Sequence, residues 1–116
     1  PLRRQRQMCI RDRLGTMRVG FETYLQDFDD KEILKALPDG LCPCPHWGYV
    51  MAGRLTICYP DHEEEVNPGE VYYMAPGHTM RADAGTVLLE FSPFEEFKKL
   101  TELAEQNLQK PENSND

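Results

Sequence analysis

The chain has 116 residues, 40% hydrophobic and 28% charged, with 13 Lys and Arg against 20 Asp and Glu and a net charge of −7. That length holds one hydrophobic core and one domain. No run approaches the roughly 18 apolar residues of a membrane helix, no export leader follows the basic N-terminus, and the acidic balance argues against a nucleic-acid surface, so a cytoplasmic protein with neither membrane nor nucleic acid as partner is expected.

Residues 1–13 differ in composition from the rest of the chain. Arg3, Arg4, Arg6, Arg11 and Arg13 stand against one acid, Asp12, with no periodicity that would bury a face. The run resembles the in-frame translation of a sequencing-library adapter on a fragmentary metagenomic gene, and is read as a disordered artefact outside the fold; the other reading is a basic arm for an acidic partner. Removing those five basic residues and one acid leaves 8 basic and 19 acidic residues and a net charge of −11. Cys9 leaves with them. Cys42, Cys44 and Cys58 remain, an odd number that suits a reducing compartment better than a disulfide framework.

The domain is expected over 14–109. Val19, Phe21, Tyr24 and Leu25 suggest an opening strand within 17–28, and acids followed by Ile33, Leu34 and Leu37 predict a short helix over 29–37, closed by Pro38-Asp39-Gly40. Short apolar runs then alternate with turn signals: 46–51, 55–59, 63–66, 70–74, 78–82 and 86–91, divided by Ala52-Gly53, Pro60-Asp61, Asn67-Pro68-Gly69, Ala75-Pro76-Gly77 and Asp83-Ala84-Gly85. This is an all-β pattern of a barrel or sandwich with antiparallel pairing. Ser92-Pro93-Phe94-Glu95 reads as an N-cap, a first-turn proline and a capping-box acid, opening a helix to about Gln109. Its stripe of Phe94, Phe97, Leu100 and Leu103 or Ala104 would seal one end of the barrel or lie on a neighbouring subunit. The polar tail 110–116 is expected to be disordered.

Chemistry concentrates in Leu41-Cys42-Pro43-Cys44-Pro45-His46. Two prolines hold the segment extended, so Cys42, Cys44 and His46 share one face, and His78 arrives on a later strand. Thiolate and imidazole together favour a transition metal, zinc first and iron or copper next. His46 and His78 are the strongest members and Cys44 the third; small half-buried cysteines and a hydrogen-bonded core histidine are the plainer account. Cys58 reads as core, and His62, among Asp61, Glu63, Glu64 and Glu65, as a solvated hairpin turn. Trp47, Tyr49, Tyr72 and Tyr73 either line a pocket or pack the shell, with one of each adjacent pair facing inward. Met80 and Glu90 join Trp47, Tyr49 and Tyr72 as ligand-binding candidates, and Arg81 with Glu90 is a candidate pair at the barrel mouth or a surface cross-strand pair.

The blocks His46-Trp47-Gly48-Tyr49-Val50-Met51-Ala52-Gly53-Arg54-Leu55 and Gly69-Glu70-Val71-Tyr72-Tyr73-Met74-Ala75-Pro76-Gly77-His78, with Leu88 to Pro93, resemble the cupin superfamily and its small single-domain members over about residues 40–93. The resemblance implies a jelly-roll barrel with a metal held inside by two His and a Glu from one motif and a His from a second. Counting from Gly53 and Gly69, His46 falls at the family's Glu position, Cys42 at its second His, Gly40 at its first His and Met80 at the second-motif His. The usual ligand set is absent, so the family's oxygen chemistry does not transfer. Two functions are open: a small metal-binding cupin acting on or sensing a small molecule, or a metal-free ligand-binding or regulatory barrel. Homodimerisation is a further implication of the resemblance.

Overall fold

The computed structural model describes residues 6–109, with side chains apart from those of residues 6–12, Pro38, Ala104 and residues 106–109. The expected 110–116 tail lies outside the described residues. Strands β1 (Arg6–Leu14), β2 (Met17–Tyr24) and β3 (Phe28–Asp29) precede helix α1 (Lys31–Leu34) and a 3₁₀ turn (Pro38–Gly40). Strands β4 (His46–Ala52), β5 (Leu55–Cys58), β6 (Glu63–Val66), β7 (Val71–Met74), β8 (Thr79–Ala82) and β9 (Thr86–Pro93) come next, and helix α2 (Phe94–Gln109) closes the described chain. A five-stranded sheet in the order β1-β2-β9-β4-β7 faces a four-stranded sheet in the order β3-β8-β5-β6, all described pairs antiparallel. The strand spacing predicts the all-β pattern, and the arrangement of the two sheets is the jelly roll that the family resemblance implies.

Several boundaries differ from the sequence reading. The opening strand is two, because the chain turns after Tyr24 and the Asp27 carboxylate accepts the Ala84 amide at 2.8 Å. The first helix shortens to one turn, and Asp39 adopts a left-handed φ of 61° in the closing turn. Ser92 and Pro93 belong to β9 rather than to a helix cap; the Ser92 hydroxyl is committed to the barrel interior, and the Phe94 amide donates instead to the Thr16 carbonyl at 2.8 Å. Residues expected to lie outside the domain appear as β1, paired antiparallel with β2.

The main core gathers Val50, Leu55, Ile57, Val66, Met74, Met80, Ala82 and Leu88 between the sheets. A second cluster, Leu34, Leu37, Cys42 and Cys44, packs with Phe97 and Leu100 of α2, so the apolar stripe of that helix covers the barrel end. The five-stranded sheet has an unusual polarity. Arg18, Glu22, His46, Glu90 and Ser92 point inward and are buried, while Phe21, Trp47, Tyr49, Met51, Val71 and Tyr73 point outward, 37–78% exposed. Half-buried Val19, Leu89 and Phe91 connect that outer face through the pairs Val19↔Phe91, Phe21↔Leu89, Trp47↔Phe91 and Trp47↔Tyr73.

Candidate metal centre

The approach to β4 alternates as its prolines require: Cys42, Cys44 and His46 are buried, whereas Pro43 is exposed and Pro45 half-buried. An isolated antiparallel bridge between Cys42 and His78, with the Cys42 amide donating to the His78 carbonyl at 2.7 Å, ties this approach to the entry of β8. Cys42, His46 and His78 therefore converge, one ligand atom of each lying within 4.8 Å of the others. Cys44 is the third ligand favoured by the spacing, but the bridge sets Cys42 beside His78; the Cys44 thiol instead meets the Pro45 carbonyl at 3.5 Å and packs in the cluster beneath α2.

Both imidazoles are oriented from behind. His78 Nδ1 donates to the Ala75 carbonyl at 2.7 Å, which leaves the Nε2 lone pair as its ligand atom. His46 Nδ1 lies 2.6 Å from Ser92 Oγ and 3.5 Å from Glu90 Oε2, and its Nε2 lies 3.8 Å from Cys42 Sγ. A hydrogen bond donated by the far ring N–H to a hydroxyl, carbonyl or carboxylate oxygen is the usual way a protein fixes the tautomer of a ligating histidine. Desolvation pulls the His78 pKa down to about 4, so its ring is neutral and ready to ligate at neutral pH. The same desolvation pushes the Cys42 and Cys44 thiols up to about 12.

The three residues line a cavity of about 110 Å³, together with Glu22, Tyr24, Phe28, Asp30, Met80, Glu90 and Phe97. Its polar wall is a linked set. Arg18 reaches Glu22 at 2.8 Å and stands 4.0 Å from Glu90, with its guanidinium stacked over the Phe97 ring; Tyr24 donates to Glu22 at 3.0 Å. Tyr72 donates to Glu90 at 2.6 Å, and burial holds its hydroxyl protonated, with a pKa well above 10. Gly48 makes this reach possible, since a Cβ there would overlap the end of the Tyr72 ring and the Leu89 carbonyl. Asp30 accepts the Met80 amide at 2.9 Å, and desolvation raises its pKa to about 7.

Of the ligand-binding candidates, Met80 and Glu90 line the cavity and Tyr72 braces Glu90 from behind, whereas Trp47 and Tyr49 lie on the outer sheet face, because inward positions of β4 fall to His46, Gly48 and Val50. Arg81 is exposed and paired with Glu63 at 3.2 Å, a surface cross-strand pair. Half-buried Cys58 lies 3.2 Å from Arg81, and His62 is an exposed turn residue stacked on Tyr59 and bonded to Asp61 and Glu64. Sequence reasoning missed Arg18, Glu22, Asp30 and Ser92. The signal was available on β2 and β9, where polar residues alternate with apolar ones, but alternation alone does not say which set faces inward.

No protein-family model matches the chain, and no curated protein matches it. Among solved structures, it is similar to a protein of unknown function from Rhizobium leguminosarum, with 21% identity and a TM-score of 0.54 over 78% of this chain and 81% of that one. It is also similar to a putative mannose-6-phosphate isomerase from Ralstonia eutropha, with 17% identity and a TM-score of 0.52 over 74% and 82% of the two chains. A cupin-2 domain protein from Shewanella frigidimarina is matched at 13% identity, with a TM-score of 0.46 over 70% and 72%. At such identities the likeness to the first two is one of fold alone, a two-sheet jelly-roll barrel.

Proposed function

We propose that the protein is a small metal-binding cupin in which Cys42, His46 and His78 hold a divalent transition ion, zinc foremost, at the base of a cavity that takes a small molecule. The convergence of one thiol and two pre-oriented imidazoles carries this reading. Tetrahedral zinc brings its donors to about 3.4–3.6 Å from one another, so closure by about 1 Å completes the site. Charge points the same way. The inner wall sets Glu22 and Glu90 beside the candidate ligands, with Arg18 at 2.8 Å from Glu22 and 4.0 Å from Glu90, and a cation is favoured next to buried carboxylates. With three protein ligands the ion keeps an open position, where it would polarise a ligand oxygen or activate water.

Elemental analysis of protein purified without chelator or metal-affinity tag, beside a His46→Ala/His78→Ala variant, tests the reading. Near-stoichiometric metal that is lost in the variant is expected; folded protein that takes up none of zinc, iron or copper would sink it. Because the Cys42 proton must leave on binding, the apparent affinity should rise about tenfold per pH unit through neutrality. The metal-free barrel is the second reading, supported by the burial that opposes ionisation of both the Cys42 thiol and the His78 ring.

The outer face of the five-stranded sheet supports self-association. Its six exposed apolar side chains form a contiguous surface on the order of 500 Å², at the upper end of what a monomer leaves in water, and a second copy of the same face is its natural complement.

A further inference from the structure

We propose that Tyr59, just after β5, is a positioning residue of the metal centre: its hydroxyl holds Ala75 in place, and the Ala75 carbonyl in turn keeps His78 Nε2 free to ligate beside Cys42 and His46. This rests on the metal reading above. The chain of contacts is continuous. The Ala75 amide donates to the Tyr59 hydroxyl at 2.9 Å, and the Ala75 carbonyl accepts the His78 Nδ1 proton at 2.7 Å. The Tyr59 ring also stands edge-on to the His78 imidazole, with centroids 6.5 Å apart and planes at 71°.

The sequence explains why a side chain takes this role. Ala75 lies one residue past the end of β7 and Pro76 has no N–H, so the Ala75 amide is the one donor with which this dipeptide can anchor itself. Beyond it, the Gly77 and His78 amides both donate to the Cys42 carbonyl, at 2.8 and 3.4 Å, while the Cys42 amide donates to the His78 carbonyl. Cys42 therefore fixes one end of the segment 75–78 and Tyr59 the other. Tyr59 is itself held from outside. Its amide donates to the His62 carbonyl at 2.8 Å, and the His62 ring stacks on the Tyr59 ring at 4.7 Å and 18°. Both nitrogens of that imidazole meet carboxylates, Asp61 at 2.7 Å and Glu64 at 3.0 Å, which fixes its plane. The exposed turn between β5 and β6 is thus an outer brace for a ligand of the barrel interior. Losing a partner behind a ligating histidine costs about 10- to 100-fold in metal affinity, and Tyr59, acting through one such partner, falls at the lower end.

Tyr59→Phe keeps the ring and its packing and removes the acceptor of the Ala75 amide. Val66→Ala, in the main core on β6 and away from the cavity, is the control for a general loss of stability. Zinc affinity is read at neutral pH by competition with a chromophoric chelator, and cobalt(II) in place of zinc reports the arrangement of the ligands through its visible absorption. Tyr59→Phe is expected to bind zinc about tenfold more weakly and to show shifted cobalt bands, whereas Val66→Ala, although less stable, matches the wild type in both. Tyr59→Phe with wild-type zinc affinity and an unshifted cobalt spectrum overturns the proposal and leaves the metal reading intact, as does a Val66→Ala protein impaired to the same degree. Wild-type protein that takes up no zinc overturns both.

Discussion

The burial of Asp30 carries a consequence for stability. Its folded pKa of about 7 lies above the ordinary 3.8, so between those values the native state holds more protons than the unfolded chain, and stability falls as pH rises through that window. Metal-free Asp30→Asn should therefore be more stable than the wild type at pH 8 by about 1–3 kcal/mol, allowing for its partial exposure, with the gap closing towards pH 4. Urea unfolding at the two pH values reads it; a difference independent of pH would show that the carboxyl is not held protonated by its surroundings. The neighbouring logic on β4 is steric. Gly48 is where the Tyr72 ring crosses the strand to reach Glu90, so a backbone without a side chain is part of how the cavity wall is held.

At the scale of elements, what is legible in the sequence depends on whether local chemistry or tertiary contact decides it. The hairpin strands are legible to within a residue or two because Gly, Pro and Asp turns bracket each of them; the strand Glu63–Val66 has both ends where its turn signals put them. The Ser92-Pro93 start of the last helix fails because the same residues also suit a strand end, and the Ser92 hydroxyl finds a better-placed partner in His46, 46 positions away. The Cys/His cluster is half legible: proline spacing exposes the shared face of Cys42, Cys44 and His46, but which cysteine meets the histidines is decided by the bridge to His78, a long-range pairing. The N-terminal segment invites a direct test. As an edge strand, β1 contributes pairing with β2, and Arg13 stacks over Phe94. Deleting residues 1–13 is expected to leave the domain folded, with a loss in Tm under about 5 °C, the scale of about 1 kcal/mol for a domain of this size. A much larger loss would make the segment integral to the fold.

For the whole molecule, the polarity of the five-stranded sheet is the dominant feature, since its inner face mixes buried Val50, Met74 and Leu88 with charged and polar side chains. A sheet that turns Arg18, Glu22, His46 and Glu90 inward and Trp47, Tyr49 and Phe21 outward places its chemistry where hydrophobic contacts would normally be, and its apolar side chains where water would normally be. Association of two such faces restores the usual arrangement for the pair. Sedimentation should show a dimer, and Trp47→Glu with Tyr73→Lys should yield a folded monomer whose far-ultraviolet circular dichroism stays native-like; a wild type that sediments as a monomer at about 100 times the assay concentration would rule the association out. The outer pairs Trp47↔Tyr73 and Tyr49↔Val71 put those substitutions at the exposed side of β4 and β7, away from the cavity.

The bridge between Cys42 and His78 also sets the order of events in time. Cys42 and His46 are near neighbours in the chain, but His78 joins them only after the hairpins between have formed, and contacts of such separation are made late in folding. An ion at this centre therefore stabilises the finished barrel without helping to nucleate it. Zinc should slow unfolding in stopped-flow denaturant jumps while leaving the refolding rate unchanged, making the metal a brake on loss of the fold rather than a template for reaching it.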